Sequence, residues 1–571
     1  MWNLNFRFLN PERDVGVTET TPDVEATGHA HEKSGRVSLS LLVLLALTAV
    51  AVFLRLWRLD LIPFTYDSAA ALERTRETLN LGFPPPTGII NSMGFRNPPG
   101  LIWLLLPAGL ASPWPEVTAA WQALLVLTGV TPLYWFARRR LAGPAWLVPV
   151  VLYLFLPVMV MGGRNIWAQN FLPMLGAWAL WGAGWALDGS ADAVRRARYG
   201  AFCLGMIALA VLVHPASALW LIMMSAWFVW LARRRDLSGG ALLRGAMLSF
   251  IPFGSALLPS ASDWWARRGT PLEAQPDFVR NFVEKIPPPD PVWQRMQESL
   301  ASVFEPFASG GPLGGLGFLL TEEQRTWSHV LDFLFLAMGG VGVALVAWGV
   351  AQWVAKALRR ESASHFRSQE LLLLLWLALP AVVGGALVSH PNSTYFALGM
   401  PALFLLAGLP VSRLVEAGRD GLALRVAIFA AIIGGAGYAT QHVNCMRIVD
   451  RTEVVPGPYY IALKVQRELA CRLAEAGVGH GRLDHLSGSW YERSLSYLLS
   501  ACVDEVRAKN PDATSAPPRM AVVEDVALLT SKPARADWLR ANADFFVGTL
   551  GVKLFDDDRA EAQFILEYQL R

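Results

Sequence analysis

Long apolar runs recur along most of the chain and are separated by short polar segments. A helix needs about 20 apolar residues to cross the hydrocarbon core of a bilayer, and about eleven runs approach that length. They fall at 38–56, 117–136, 144–161, 171–187, 200–213, 216–231, 241–258, 329–354, 371–388, 395–409 and 422–438. The pattern predicts an α-helical polytopic membrane protein with about eleven transmembrane helices.

Clusters of basic residues follow every second run, which sets the orientation of the chain. The clusters lie at 138–140, 195–198, 233–235, 356–360 and 413–419. Short basic loops stay in the cytoplasm. We therefore expect a cytoplasmic tail at 1–37, a transmembrane domain at 38–440 with outer loops 58–116 and 260–328, and an outer segment at 441–571. The first apolar run begins too far into the chain for an ordinary cleaved signal peptide, which favours a signal anchor in the cell (inner) membrane.

Two segments outside the apolar runs have their own patterns. Residues 98–111 are apolar but too short to span, and prolines flank them, so we expect an interfacial or re-entrant helix at the outer surface. In the tail, 461–475 and 489–501 have helical periodicity, whereas 519–529, 545–555 and 563–569 are strand-like. The sequence predicts a small C-terminal α/β extracytoplasmic domain at 441–571.

The cysteines lack the spacing of a metal or redox site. Of the four, Cys471 and Cys502 lie in the two amphipathic helices of the tail. Antiparallel packing of these helices on the oxidising side would allow a disulfide; the alternative is three free buried thiols in this region. We expect no metal and no cofactor.

Composition narrows the partners. Of 571 residues, 53% are hydrophobic and 17% are charged, which requires lipid around the chain. The formal net charge is only +3 and the basic residues are dispersed, so nucleic acid is not an expected partner.

The first outer loop is the most informative stretch. It begins LWRLDLIPFTYDSAAALERTR at 56–76 and continues with GFPP at 82–85 and GFRNPPG at 94–100. This loop resembles that of the GT-C class of lipid-linked-sugar glycosyltransferases in three features. They are an acidic residue at the start of a helix, a Gly-x-Pro stretch and a polar-Pro-Pro element. The resemblance is to the branch that includes protein O-mannosyltransferases and aminoarabinose transferases, and it covers about residues 41–231 in order.

The resemblance implies a GT-C-like fold and a reaction. Its donor would be a polyprenyl-phosphate sugar, its acceptor a lipid, a glycan or a protein, and its setting the membrane lipids of the outer leaflet. Asp67 matches the family's general base. Where the family continues with Glu or Asp this chain has Ser68, so we expect catalysis without an essential divalent metal. The alternative role of Asp67 is the N-cap of a helix over 68–79.

Transfer from such a donor needs a carboxylate that takes a proton from the acceptor and cations that hold the leaving phosphate. For Arg96 the alternative is a lipid-headgroup contact, and for Arg164 and Asn165 it is interfacial anchoring. His214 and His390 would either line a cavity or end a helix before a proline. The candidate substrate-binding residues are Glu73, Arg74, Arg96, Asn97, Arg164, Asn165, His214, His390 and Tyr395.

Two other functions compete with the transferase. A lipid or polysaccharide transporter or flippase would need charges or broken helices near the bilayer midplane, and the runs contain almost no charge apart from Arg244. A non-catalytic lipid-binding relative is the third hypothesis, motivated by Ser68. The pair Trp264 and Trp265 would stack on sugar rings or belong to the aromatic belt of the membrane interface.

Overall fold

The computed structural model describes residues 39–90, 96–234, 236–267, 291–304, 322–358, 368–387, 393–452, 462–475, 478–485, 492–509, 519–524, 547–555 and 561–569. The chain divides into a short unit, Met1–Val43, and a large unit, Leu44–Arg571. Of the short unit only residues 39–43 are described, as the first turns of a helix. Every contact given below lies within the large unit.

Helices dominate the described residues. In chain order they are α1 Leu39–Leu56, α2 Tyr66–Leu81, α3 Gly100–Ala111, α4 Pro115–Leu127, α5 Val130–Arg140, α6 Leu147–Phe155, α7 Pro157–Arg164, α8 Leu172–Ala186, α9 Ala193–Val213, α10 Ala218–Arg233, α11 Gly239–Arg267, α12 Val292–Ser302, α13 Glu322–Leu358, α14 Ser368–Leu387, α15 Met400–Glu416, α16 Asp420–Ile432, α17 Tyr438–Thr452, α18 Leu463–Glu475 and α19 Glu492–Lys509.

Within the described residues, eight helices are long and apolar enough to cross a membrane, or up to ten if each of two bent pairs counts as one span. Ten of the eleven predicted runs coincide with these helices. The run at 171–187 does not, because α8 is only 15 residues long. The chain is a multi-pass membrane protein, and the exact span number of eleven stays a prediction.

One bent span is explained by proline. α6 and α7 meet at a 41° bend beside Pro157. Proline has no N–H, so it cannot bond the carbonyl of Tyr153 four residues earlier. The guanidinium of Arg55 in α1 donates instead, to the carbonyl oxygens of Tyr153 at 3.3 Å and of Leu154 at 2.8 Å. Arg55 is fully buried, and the expectation that Arg244 was almost the only charge in the spans is wrong on this point.

α3 confirms the short apolar helix predicted at 98–111. It has 12 residues and packs against α2, α4 and α9. Two glycines permit the close approach. A Cβ at Gly100 would lie 2.6 Å from the carbonyl carbon of Leu212 in α9, and a Cβ at Gly109 would lie 2.7 Å from Cγ2 of Thr75 in α2. α3 therefore holds α2 against the membrane-spanning helices.

Helices extend past three predicted boundaries. α11 continues to Arg267 and α13 begins at Glu322, so both enter the segment expected as the outer loop 260–328. A π-helical turn, Ile433–Gly437, joins α16 to α17, and the helix continues past the predicted end of the last run at 438 to Thr452. The boundaries at 260, 328 and 440/441 stay predictions.

The tail contains both predicted helices, as α18 and α19, and the three predicted strands as β2 Arg519–Glu524, β3 Val547–Phe555 and β4 Glu561–Gln569. A further strand, β1 Val478–His485, was not predicted. The sheet order is β1-β2-β3-β4, with β1 parallel to β2 and the remaining pairs antiparallel. A disulfide joins Cys471 of α18 to Cys502 of α19, which confirms that pairing. That these elements form a separate domain stays a prediction.

Candidate functional site

The helix that carries Asp67 begins at Tyr66, and Thr65 is its N-cap. Oγ1 of Thr65 accepts a hydrogen bond from the backbone N–H of Ser68 at 3.2 Å. The alternative in which Asp67 caps a helix over 68–79 is therefore wrong, because a threonine two residues earlier already satisfies the end of the helix. Asp67 lies in the first turn, where the helix dipole favours a negative charge.

The carboxylate of Asp67 is half-buried. Among the residues that the structure describes, it has no hydrogen-bond or ion-pair partner. Burial raises the pKa of Asp67, and the positive charge of Arg493 in α19 acts in the opposite direction. A carboxylate with a raised pKa and no fixed partner has the properties of a general base.

Ser68, at the second acidic position of the family pattern, has a structural role. It is buried, and its hydroxyl donates to the carbonyl oxygen of Ile166 at 2.9 Å. The bond joins the start of α2 to the segment after α7. In the described parts of the chain, no three His, Cys, Asp or Glu side chains are grouped in a way that could hold a metal ion.

Glu73 and Arg74 of α2 are both engaged in ion pairs. Oε2 of Glu73 accepts from Nε of Arg493 at 2.5 Å. Arg74 donates to Oε2 of Glu77 at 2.5 Å and to the carbonyl oxygen of Thr87 at 3.4 Å. Their roles in substrate binding stay predictions.

Arg96 and Asn97 lie where the first outer loop folds back on itself. The backbone N–H of Gly88 donates to the carbonyl of Asn97 at 2.6 Å, and the backbone N–H of Arg96 donates to Oδ2 of Asp263 at 2.7 Å. The guanidinium of Arg96 has no hydrogen-bond or ion-pair partner among the described residues. A half-buried guanidinium of this kind is available for an anion.

Arg164 is only 1% exposed and lies at the end of α7. Its Nη1 is 2.8 Å from Nε2 of His442 in α17, and its Nη2 donates to the carbonyl oxygen of Arg58 at 2.5 Å. These contacts join the end of α7 to Arg58 and to α17. The backbone oxygen of Asn165 accepts from Nδ2 of Asn170 at 2.8 Å, and its Oδ1 is buried with no partner among the described residues. The structure thus joins Ile166 to Ser68 of α2, whereas the side-chain hydrogen bonds of Arg164 are with His442 and Arg58.

The remaining candidates lie at the ends of other helices. His214 is the C-cap of α9, directly before Pro215, as the helix-end alternative expected. Tyr395 lies in a 3₁₀ segment, Ser393–Gly399. His390 lies outside the described residues. Trp264 and Trp265 are both exposed at the end of α11, as expected for belt residues.

A small cavity lies beside the 162–170 segment. It has a volume of about 20 Å³ and is lined by Gly162, Gln169, Asn170 and Met400 among others. This volume holds about one water molecule, and the buried Oε1 of Gln169, which has no partner among the described residues, is a suitable contact for one. Asp67 does not line it.

Two side chains that contact the candidate residues were missed from the sequence. Arg493 approaches the first turn of α2 from α19, and His442 contacts Arg164 from α17. Each has polar neighbours in the sequence, so no spacing signal distinguished it. Only the packing of distant segments reveals these contacts.

No protein-family model matches the chain, and no curated protein matches it. Among solved structures, the oligosaccharyltransferase of Archaeoglobus fulgidus, tethered with an acceptor peptide containing the NVT sequon, is similar with a TM-score of 0.50 and 15% identity over 92% of this chain and 74% of that one. ArnT from Cupriavidus metallidurans in the apo state has a TM-score of 0.49 and 12% identity over 93% of this chain and 98% of that one.

The likeness to the Archaeoglobus enzyme concerns the fold. At 15% identity it extends over nearly the whole chain, so the GT-C-like fold expected from the first outer loop is confirmed. What the chain binds and transfers has to be argued from its own residues.

Proposed function

We propose that this chain is a glycosyltransferase that moves a sugar from a polyprenyl-phosphate donor to a lipid, glycan or protein acceptor on the outer face of the membrane. The observation that carries the proposal is the carboxylate of Asp67, which is half-buried, has a raised pKa and lacks a direct partner among the described residues. The shared fold with an enzyme captured with an acceptor peptide supports it.

The proposed reaction is a single inverting displacement. Asp67 removes the proton from an acceptor hydroxyl or amine, and the freed electron pair forms a bond to the anomeric carbon of the sugar. The bond between that carbon and the phosphate oxygen breaks, and the polyprenyl phosphate leaves with its electron pair. Arg96 is the candidate cation for this phosphate because its guanidinium has no protein partner among the described residues.

The orientation is part of the proposal. Arg138, Arg139 and Arg140 end α5, and Arg233 ends α10, at the faces that the positive-inside rule assigns to the cytoplasm. α18 and α19 then lie outside. The Cys471–Cys502 disulfide supports this side, since disulfides persist in oxidising compartments.

Buried charges or broken helices near the bilayer midplane would be the signature of a transporter. Arg55 and Arg164 are instead bonded to backbone carbonyls and to His442, and the bend between α6 and α7 is explained by Pro157. Such contacts fix helices in place. The turnover experiment that follows distinguishes an enzyme from a non-catalytic lipid-binding relative.

The experiment is turnover in lipid nanodiscs with a panel of undecaprenyl-phosphate- and dolichyl-phosphate-linked sugars. With a donor that the wild type uses, Asp67→Asn should lower kcat/KM by about 100-fold or more, the usual contribution of a general base. Glu505→Gln removes a carboxylate of α19 that forms an ion pair with Lys509, one turn along the same helix, and it should leave turnover unchanged. Full activity of Asp67→Asn would rule out the assigned base.

A further inference from the structure

α19, from the tail, lies along the helix that begins with Asp67. Nε of Arg493 donates to Glu73 at 2.5 Å, and its Nη1 donates to the hydroxyl of Tyr66 at 3.3 Å. The guanidinium carbon also lies 5.1 Å from the ring centroid of Tyr66. Tyr66 and Glu73 are seven residues apart, two turns along the same face of α2. Arg493 therefore bridges the first two turns of the helix on either side of Asp67 in sequence.

Several contacts fix where α19 lies. The hydroxyl of Tyr497 donates to the carbonyl oxygen of Pro113 at 2.5 Å. α18 secures the other side: the side-chain amide of Gln466 donates to the carbonyl oxygen of Phe64 at 3.1 Å and accepts from the hydroxyl of Ser494 at 2.8 Å. The Cys471–Cys502 disulfide joins the two helices. The contacts of α18 and α19 therefore fix the position of the helix that carries Arg493.

Among the described residues, few charged groups face the first turns of α2 apart from the pair of Arg493 and Glu73. α3, which packs against α2, contains no titratable side chain. The guanidinium of Arg164, near the segment that Ser68 contacts, is directed to His442. On α19, Tyr497 and Asp504 face α2, and Asp504 is paired with Arg76. Arg493 is the group whose positive charge acts on the Asp67 carboxylate.

We propose that Arg493 is a positioning residue for Asp67: it fixes the first two turns of α2 through Tyr66 and Glu73 and places a positive charge against the first turn, where the carboxylate lies. The inference rests on the proposed function, since it assigns Asp67 the role of base. It also gives the C-terminal helices a part in the reaction. Burial alone would keep the Asp67 carboxyl protonated to a higher pH, and a protonated carboxyl cannot take a proton from the acceptor.

The sign of the expected effect follows from these opposing influences. Burial raises the pKa of Asp67 and Arg493 lowers it. Arg493→Met removes the lowering influence, so the acidic limb of the kcat/KM profile should move to higher pH. Arg493→Lys retains the charge and should restore most of the wild-type limb. The donor and acceptor are the pair that the wild-type protein turns over in nanodiscs.

Arg76→Met is the matched control. Arg76 joins the same two helices through Asp504, so its loss weakens the docking of α19 without removing the charge beside Asp67. Its acidic limb should coincide with that of the wild type. If Arg493→Met and Arg76→Met lower turnover equally and neither moves the limb, Arg493 only docks the helix and the proposal is overturned.

A second measurement separates this inference from the proposed function. Infrared titration of the full-length protein should show a carboxyl band that is absent in Asp67→Asn, and this band should titrate at higher pH in Arg493→Met than in Arg76→Met. Equal titration in both variants overturns the inference even where Asp67→Asn is inactive. If Asp67→Asn retains full turnover while the band is shifted in Arg493→Met, Asp67 is not the base. Arg493 then has no part in catalysis through Asp67.

Discussion

At the scale of single residues, the side chains of greatest structural consequence compensate for breaks in the backbone. Pro157 has no N–H, so the carbonyl of Tyr153 lacks its hydrogen bond within the helix. Arg55 of α1 donates hydrogen bonds to the carbonyl oxygens of Tyr153, Leu154 and Met159. Ser68 does the same on a smaller scale for Ile166. Buried backbone carbonyls must be paired, so a charged side chain deep in the fold is here a structural group.

Arg55→Met should destabilise the fold. An orphaned buried polar group costs about 1–3 kcal/mol, so leaving the two carbonyls of Tyr153 and Leu154 unpaired should lower the free energy of unfolding by about 2–6 kcal/mol. SDS-induced unfolding in bicelles measures it. Arg472→Met, which removes an exposed arginine paired with Glu468, is the control and should be close to the wild type. An unchanged midpoint for Arg55→Met would mean that water or other donors replace the guanidinium.

The sequence predicted the candidate carboxylate but not its surroundings. Asp67 was singled out because its loop resembles that of the GT-C class, and Cys471 and Cys502 because both lay in amphipathic helices. Arg493, His442 and the paired state of Arg164 depend on contacts between residues hundreds of positions apart. Local periodicity carries no information about such contacts. The N-cap is a different case: Thr65 contacts Ser68 only three residues away, and both Thr65 and Asp67 are residue types that cap helices, so the sequence alone did not decide between them.

At the scale of elements, the apolar pattern predicted most helices because lipid imposes a minimum length and a uniform composition. It failed where helices deviate from that rule. α8 is short and largely buried among other helices, and the last span continues past 438 through a π-helical turn whose Gly434 and Gly435 are buried. A hydropathy pattern records how apolar a segment is, not where the backbone hydrogen bonding changes register.

The fit of α3 against α9 can be tested with Gly100→Ala. The new Cβ would lie 2.6 to 2.8 Å from the backbone and Cβ of Leu212, atoms that cannot rotate away. Overpacking of this kind costs about 1–3 kcal/mol, so unfolding should begin at a lower SDS fraction. At Gly340 in α13 a Cβ would meet nothing within 4 Å, and Gly340→Ala should be neutral or slightly stabilising. Equal behaviour of the two variants would show that α3 can shift.

At the scale of the whole molecule, the arrangement depends on which side of the membrane the C-terminal helices occupy. α18 and α19 contact the first outer loop through Gln466, Arg467, Arg493 and Tyr497. The first outer loop and the tail must therefore lie on the same side of the membrane, so locating the tail also locates the loop. This makes the orientation testable from the tail alone.

We predict that the tail is extracytoplasmic. A fluorescent reporter that matures only in the cytoplasm should give signal when fused after Arg234, at the basic end of α10, and none when fused after Arg571, because basic loops are retained inside.

The disulfide provides an independent test of the same orientation: Cys471 and Cys502 are bonded, and an oxidising compartment maintains such a bond whereas the cytoplasm does not. Non-reducing mass spectrometry of protein from cells alkylated before lysis should recover the two cysteines as one linked peptide pair, while Cys203 and Cys445, both buried thiols, are alkylated only after denaturation. Signal from the Arg571 fusion together with free, alkylated Cys471 and Cys502 would place the tail and the Asp67 loop in the cytoplasm, and the outer-face reaction would then be untenable.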